Sequence, residues 1–204
     1  MNEHDFHMLA GLLYRELRSP LTSITGFAEL LRDQSAPLNE GQAEIVHTIQ
    51  RVGNRCFRLV HDLYQVMLLR AGDTALVCQT LELNTVIANA LDQAQPALRA
   101  AGITMAFERS DIPAVIAADP TYINVLLDYL VWDMEHAPNT PVSIKTSHRS
   151  GGIRIDIQAG YHVVGQNHIW PRPLVAFLVE SILGAHGGSM VGGLNREFSM
   201  YFPG

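Results

Sequence analysis

Two long runs of apolar residues at helical spacing, separated by a short break, constrain this chain more than any other feature. Between Asp5 and Arg32 the residues Phe6, Leu9, Leu12, Leu13, Leu17, Leu21, Ile24, Phe27, Leu30 and Leu31 recur at three- and four-residue steps, the period of one helix face. Pro20 falls inside this run, where it removes a backbone hydrogen bond and predicts a bend. Gln34 to Asn39, with Ser35 and Pro37, breaks the pattern. A second run from about Glu40 to Leu69 carries Ile45, Ile49, Val52, Cys56, Leu59 and Leu63, and Gly72 ends it. Two such helices joined by a short loop predict an antiparallel hairpin whose apolar face is too wide for one partner helix. The expected remedy is a homodimer, two hairpins packed as a four-helix bundle, with Leu21 and Leu59 as positions that hold it together.

The remainder alternates between the two periodicities. Thr85 to Ala101, Pro120 to His136 and about Arg172 to His186 read as helices. Ile103 to Glu108, Ala114 to Ala118, Val142 to Ser147, Ile153 to Gln158, Ser189 to Val191 and Glu197 to Tyr201 read as strands. This order predicts helices on one face of a mixed sheet. The fold class is therefore α+β, with residues 1–75 as a helical hairpin domain and 76–204 as an α/β sandwich, the boundary falling near Gly72 to Thr80.

Composition removes several functional classes. The 204 residues are 48% apolar and 17% charged, below the usual charged share of about 25%, which suits a buried core. A net charge of −6 offers no field for a nucleic-acid backbone. No apolar run approaches the ~20 residues of a membrane span, and Met1 to His7 lacks the basic start of a signal peptide. Neither nucleic-acid binding nor membrane insertion is expected, and the expected location is cytoplasmic. The only cysteines, Cys56 and Cys78, are not in a CxxC arrangement, so no metal site is expected and both read as small buried apolar residues. The single lysine, Lys145, lies in a predicted strand and rules out a P-loop.

Four segments carry a resemblance. RELRSPLTSITGFAELL at Arg15 to Leu31 resembles the phosphoacceptor segment of sensor histidine kinases, which reads HELRTPLTSI, and RLVHDLYQVMLLRAGD at Arg58 to Asp73 resembles the end of their second helix. IAADPTYINVLLDYL at Ile116 to Leu130 and VESILGAHGG at Val179 to Gly188 resemble two segments of their ATP-binding domain. The resemblance implies a dimerisation and histidine phosphotransfer hairpin followed by an ATPase-type sandwich that holds Mg-ATP under a lid, and it covers nearly the whole of these 204 residues, so no sensor domain is expected within them.

Residue by residue, the chemistry departs from that family. The phosphoacceptor histidine is replaced by Arg15, a permanently protonated group that cannot attack a phosphoryl group. Glu16, Arg18, Ser19 and Pro20 keep the surrounding pattern. In the nucleotide pocket the alignment puts Asp128 at the first asparagine of the N box and Trp132 at the metal-binding one, and an indole offers no acceptor to a hard cation. Gln158 falls at the adenine-reading aspartate, with Ala159 and Gly160 after it, and Pro173 to Ala176, including Val175, replace the phosphate-binding glycines. Trp132, which pairs with Trp170 as the chain's only tryptophans, reads as filling a vacated cavity. His186 reads as structural, before a glycine cap.

The sequence therefore points to a catalytically degenerate histidine-kinase-like protein. It is expected to work without a cofactor, as a dimeric binding module for a response-regulator receiver domain or another histidine kinase, docking around Arg15 and the second helix near Val52 to Arg55. The alternative is a phosphotransferase relaying phosphoryl groups through a displaced histidine, His7, His47 or His61. An active ATP-dependent kinase comes third.

Overall fold

The computed structural model describes residues 3–32, 38–135, 140–149, 151–159, 173–192 and 197–204. The chain divides into two compact units, Met1–Thr74 and Ala75–Gly204.

The first unit is the helical pair α1 (Glu3–Arg32) and α2 (Glu40–Ala71). Local chemistry sets the ends of α2. The Asn39 side chain accepts from the Gln42 N–H at 2.9 Å while the Gln42 side chain accepts from the Asn39 N–H at 3.1 Å, a reciprocal cap that satisfies two orphan donors. At the other end Gly72 takes φ 77°, which a residue with a Cβ adopts only under strain. The pairing is antiparallel: Gly11 lies against Tyr64, Thr25 against Gly53, and Arg32 reaches Gln50.

Gly53 lets the two helices approach closely. A Cβ built there would lie 2.8 Å from the Thr25 methyl group, and Thr25 is held by its hydroxyl to the carbonyls of Leu21 and Thr22, both at 3.1 Å. Gly53→Val should therefore destabilise the hairpin by about 1–3 kcal/mol through overpacking. Urea denaturation followed by circular dichroism measures this, and an unchanged midpoint would show that the helices can move apart freely.

Pro20 lies within an unbroken α1. It leaves the Glu16 carbonyl without its usual donor. Just beyond it, the hydroxyls of Thr22, Ser23 and Thr25 bond back to the carbonyls of Arg18, Ser19 and Leu21, a pattern that bends helices.

Apolar side chains remain exposed in the half of the hairpin near its loop, led by Phe27 (66%), Leu30 (63%) and Ile45 (61%), with Ile24, Ile49 and Val52 beside them. Leu21 and Leu59, the residues expected to hold a dimer, are only half-exposed, so the outward-facing stripe is carried by other positions.

The second unit contains β1 (Gln79–Glu82), α3 (Leu83–Ala100), β2 (Thr104–Glu108), β3 (Val115–Ala118), α4 (Pro120–Glu135), β4 (Pro141–Arg149), β5 (Gly152–Ala159), α5 (Pro173–Ala185), β6 (Ser189–Gly192) and β7 (Glu197–Pro203). Five strands form a mixed sheet in the order β2-β4-β5-β7-β6, with β2 and β4 parallel and the other neighbours antiparallel. The strands alternate as a half-buried sheet requires: Ile153, Ile155 and Ile157 of β5 and Phe198, Met200 and Phe202 of β7 are buried. Buried residues of α3, α4 and α5, among them Ile87, Leu126, Leu130, Leu178 and Ile182, form the other half of the core, so the expected α/β sandwich is the one that forms.

Three details differ from the reading of the sequence. β1 has no counterpart in it, β3 joins β1 in a separate two-stranded sheet rather than entering the main mixed sheet, and α3 starts early. Glu82 explains why α3 begins two residues earlier than its apolar period suggests. Its carboxylate accepts from the backbone of Asn84, Thr85 and Ala114 and from the Thr85 hydroxyl, tying the start of α3 to the segment that leads into β3.

Candidate functional site

Arg15, Glu16, Arg18, Ser19 and Pro20 all lie exposed on α1. Arg15, Arg18, Ser19 and Thr22 follow i, i+3, i+4 and i+7 spacing and share one helix face. The Arg15 Nε donates to the Gly11 carbonyl at 3.3 Å, which lays the side chain back along its own helix and leaves an exposed cation where the resemblance places a histidine. Tyr14, next to it, stacks on Tyr64 of α2 with ring centroids 4.9 Å apart and meets His61 edge-on at 5.9 Å. This aromatic cluster escaped the sequence reading, although the adjacency of Tyr14 and Arg15 was visible.

His61 is half-buried, and its Nδ1 lies 3.2 Å from the Asp62 Oδ1. His47 is exposed. His7 lies on α1, with its side chain outside the described residues. The helix register shows which part of α2 lies beside each turn of α1. Gly53 packs on Thr25 and Ile24, so Val52 to Arg55 flank the turn after Pro20, whereas the α2 residues beside the Arg15 turn are His61 and Tyr64.

On α4, one side faces the core through Ile123, Leu126, Leu127, Leu130 and Met134. The opposite stripe holds Thr121, Asn124 and Asp128, all exposed, and continues to the half-exposed Trp132. Asp128 and Trp132 are thus one helical turn apart on the same face, and the indole meets Tyr129 edge-on at 6.1 Å. Strand parity decides where the third of these residues lies. Gln158 points to the sheet face away from the helices, is exposed, and donates to Glu197 at 3.0 Å. The residue at that end of β5 that faces inward is Ala159, which is buried. Gly160 and Trp170 lie outside the described residues. Pro173 opens α5, with its side chain likewise outside them, and Val175 is fully buried core.

Asp119 caps α4. Its carboxylate accepts from the N–H of Val77 at 2.8 Å and of Thr121 at 2.9 Å, with Pro120 at the first helical position, where its missing N–H costs nothing. Burial pushes this carboxyl up. The bonds from Val77 and Thr121 outweigh burial and hold it below its ordinary range. His186 accepts from the Asp119 N–H at its Nε2, at 3.0 Å, and its Nδ1 donates to the Ile182 carbonyl at 2.7 Å. Gly187 takes φ 72°, and a Cβ on Gly188 would come within 2.3 Å of the Tyr201 carbonyl oxygen. The His-Gly-Gly segment is therefore committed to joining α5, the start of α4 and β7.

The family described as His Kinase A (phospho-acceptor) domain matches residues 11–72, the span of the hairpin. In build the chain is a sensor histidine kinase core, a phosphoacceptor-type hairpin followed by an ATPase-type sandwich.

Among curated relatives, it is 26% identical over 87% of its length to the sensor protein DivL of Caulobacter vibrioides, and 30% identical over 67% to the cell-division control histidine kinase PdhS of Brucella ovis. It spans only 25% and 14% of those two proteins. Its fold is also that of the histidine kinase ThkA in a crystal structure with the response regulator protein TrrA, with a TM-score of 0.62, 17% identity, and coverage of 96% of this chain and 61% of that one. No helix among the described residues is long and apolar enough to cross a membrane.

Proposed function

We propose that this chain is a catalytically degenerate histidine-kinase-like module, a cytoplasmic homodimer that binds a receiver domain or another histidine kinase instead of transferring phosphate. The observation that carries this reading is Arg15, an exposed cation at the position of the phosphoacceptor. A guanidinium stays protonated at ordinary pH and has no lone pair to attack phosphorus, but it suits the acidic phosphorylation pocket of a receiver. ThkA, of the same fold, is found in complex with a response regulator, which supports that kind of partner. The exposed stripe around Phe27, Leu30 and Ile45 supports the dimer.

The residues at the nucleotide positions do not fit Mg-ATP. Trp132 offers no oxygen to the metal beside Asp128. Ala159 has no carboxylate to read adenine, and Val175 is packed into the core. The module therefore works without nucleotide or metal.

Two measurements test the proposal. Once a partner has been captured, Arg15→Ala should weaken its binding at least tenfold, about 1.4 kcal/mol; unchanged affinity would move the interface off α1. Titration with Mg-ATP should leave the tryptophan fluorescence unchanged, and a saturable, magnesium-dependent change would restore the kinase reading. One observation favours a second reading, phosphotransfer through His61: the Asp62 carboxylate beside Nδ1 suits an imidazole that uses Nε2 as nucleophile. Acid-labile label on the chain after incubation with a phosphorylated receiver, lost in His61→Ala, would select it.

A further inference from the structure

β2 is an edge strand. Among the described residues it pairs only with β4, Thr104–Glu108 lying in parallel register against Pro141–Lys145. Every second residue of such a strand directs its N–H and C=O away from its neighbour, which makes the edge a template for another strand. Thr104–Glu108 contains neither proline nor lysine, the residues that commonly blunt an edge.

Beside this edge runs α3, and the two enclose a groove of about 480 Å³. Leu91, Met105 and Phe107 supply apolar lining, while Asp92, Gln95 and Arg99 of α3 reach it at i, i+3 and i+7 spacing. Arg109 closes one end, its guanidinium 5.5 Å from the centre of the Phe107 ring. Because α3 turns back into β2, Arg99 stands at the Thr104 end and Arg109 at the Glu108 end, roughly 16 Å apart along a strand. Neither arginine has a carboxylate within ion-pair distance among the described residues. On a chain of net charge −6, two such cations in one groove are complementary to an acidic occupant. Asp92 shares the Arg109 end, so Arg99 carries the greater part of the selection.

We propose that the α3–β2 groove takes an extended acidic segment of a partner protein, which adds to β2 as a sixth strand. Main-chain hydrogen bonds to the open edge supply affinity, and alternate side chains supply specificity, the division of labour seen wherever a peptide augments a sheet. The pattern it selects is an acidic residue, an apolar residue two positions on and a second acidic residue two further. The apolar one sits over Met105 and Phe107, and the acidic ones face Arg99 and Arg109. This surface lies on the second unit, so it neither needs nor tests docking at Arg15.

The test uses the full chain, ¹⁵N-labelled, and a terminally blocked peptide, Thr-Glu-Thr-Val-Thr-Glu-Thr. The expected result is saturable binding that shifts the amides of Thr104–Glu108 and slows their hydrogen exchange. Arg99→Glu should weaken it at least tenfold, and more than Arg109→Glu does. N-methylation of alternate peptide bonds in the register that faces β2 should abolish it, which tests main-chain pairing without altering the protein. Failure to saturate at millimolar peptide, shifts confined to residues outside β2 and α3, indifference to N-methylation in both registers, or equal affinity for the peptide with lysines in place of its glutamates would each overturn the proposal.

Discussion

Replacing Glu82 by alanine is expected to destabilise the sandwich unit by about 2–3 kcal/mol, well beyond the ~1 kcal/mol of an ordinary helix cap. The carboxylate accepts from three backbone N–H groups and the Thr85 hydroxyl, and alanine would leave those donors without it while releasing α3 from the segment before β3. Burial raises this carboxyl, but the bonds from Thr85, Ala114 and Asn84 together exceed that effect and hold it below its ordinary value. A depressed folded value means that the stabilisation is fully present above the unfolded carboxylate range, near pH 4, and is lost as pH falls through the folded value. Asp119, lowered in the same sense, adds to the acid limb. Urea midpoints measured between neutral pH and about pH 3 should fall for the native chain and fall less for Glu82→Gln, which keeps one acceptor oxygen and does not titrate. Parallel slopes for the two proteins would show that Glu82 does not govern the acid limb.

The second large effect concerns association. Phe27→Asp combined with Ile45→Asp should weaken the proposed dimer at least a hundredfold, about 2.7 kcal/mol. Each side chain withdrawn from water contributes about 1.5–3 kcal/mol, and each charge would be buried twice in a symmetric pair. Both residues are exposed in the isolated hairpin, so helix content should not change. Substituting Leu21 or Leu59 instead would disturb packing within one hairpin and confuse the two effects. A native chain sedimenting as a monomer at tens of micromolar, or a double variant still dimeric there, would defeat the prediction.

The helices were readable because their apolar period is long and their breaks coincide with Pro, Gly and a capping Asn. β1 was not: Gln79–Glu82 is four residues long and its first two are exposed, too short to show an alternation. The partner of β3 is a tertiary choice with no local signal. Gln158 shows the opposite case, since Ile153, Ile155 and Ile157 already set the odd-numbered residues of that strand inward. Alternation alone therefore pointed to Ala159, while motif alignment pointed one residue earlier. The start of α3 was hidden because its capping residue is a glutamate whose worth depends on Ala114, 32 residues away.

The His-Gly-Gly segment bears on how such chains are recognised and how they diverge. His186 is occupied at both ring nitrogens by the backbone of Asp119 and Ile182, and Gly188 meets the β7 backbone where no side chain fits. Under random substitution these positions would be purged for failure to fold, whatever reaction the protein performs or has abandoned. The signature that marks a chain as kinase-like can therefore outlive kinase activity by any length of descent, and a library selected only for folding should retain it while the Arg15 position drifts.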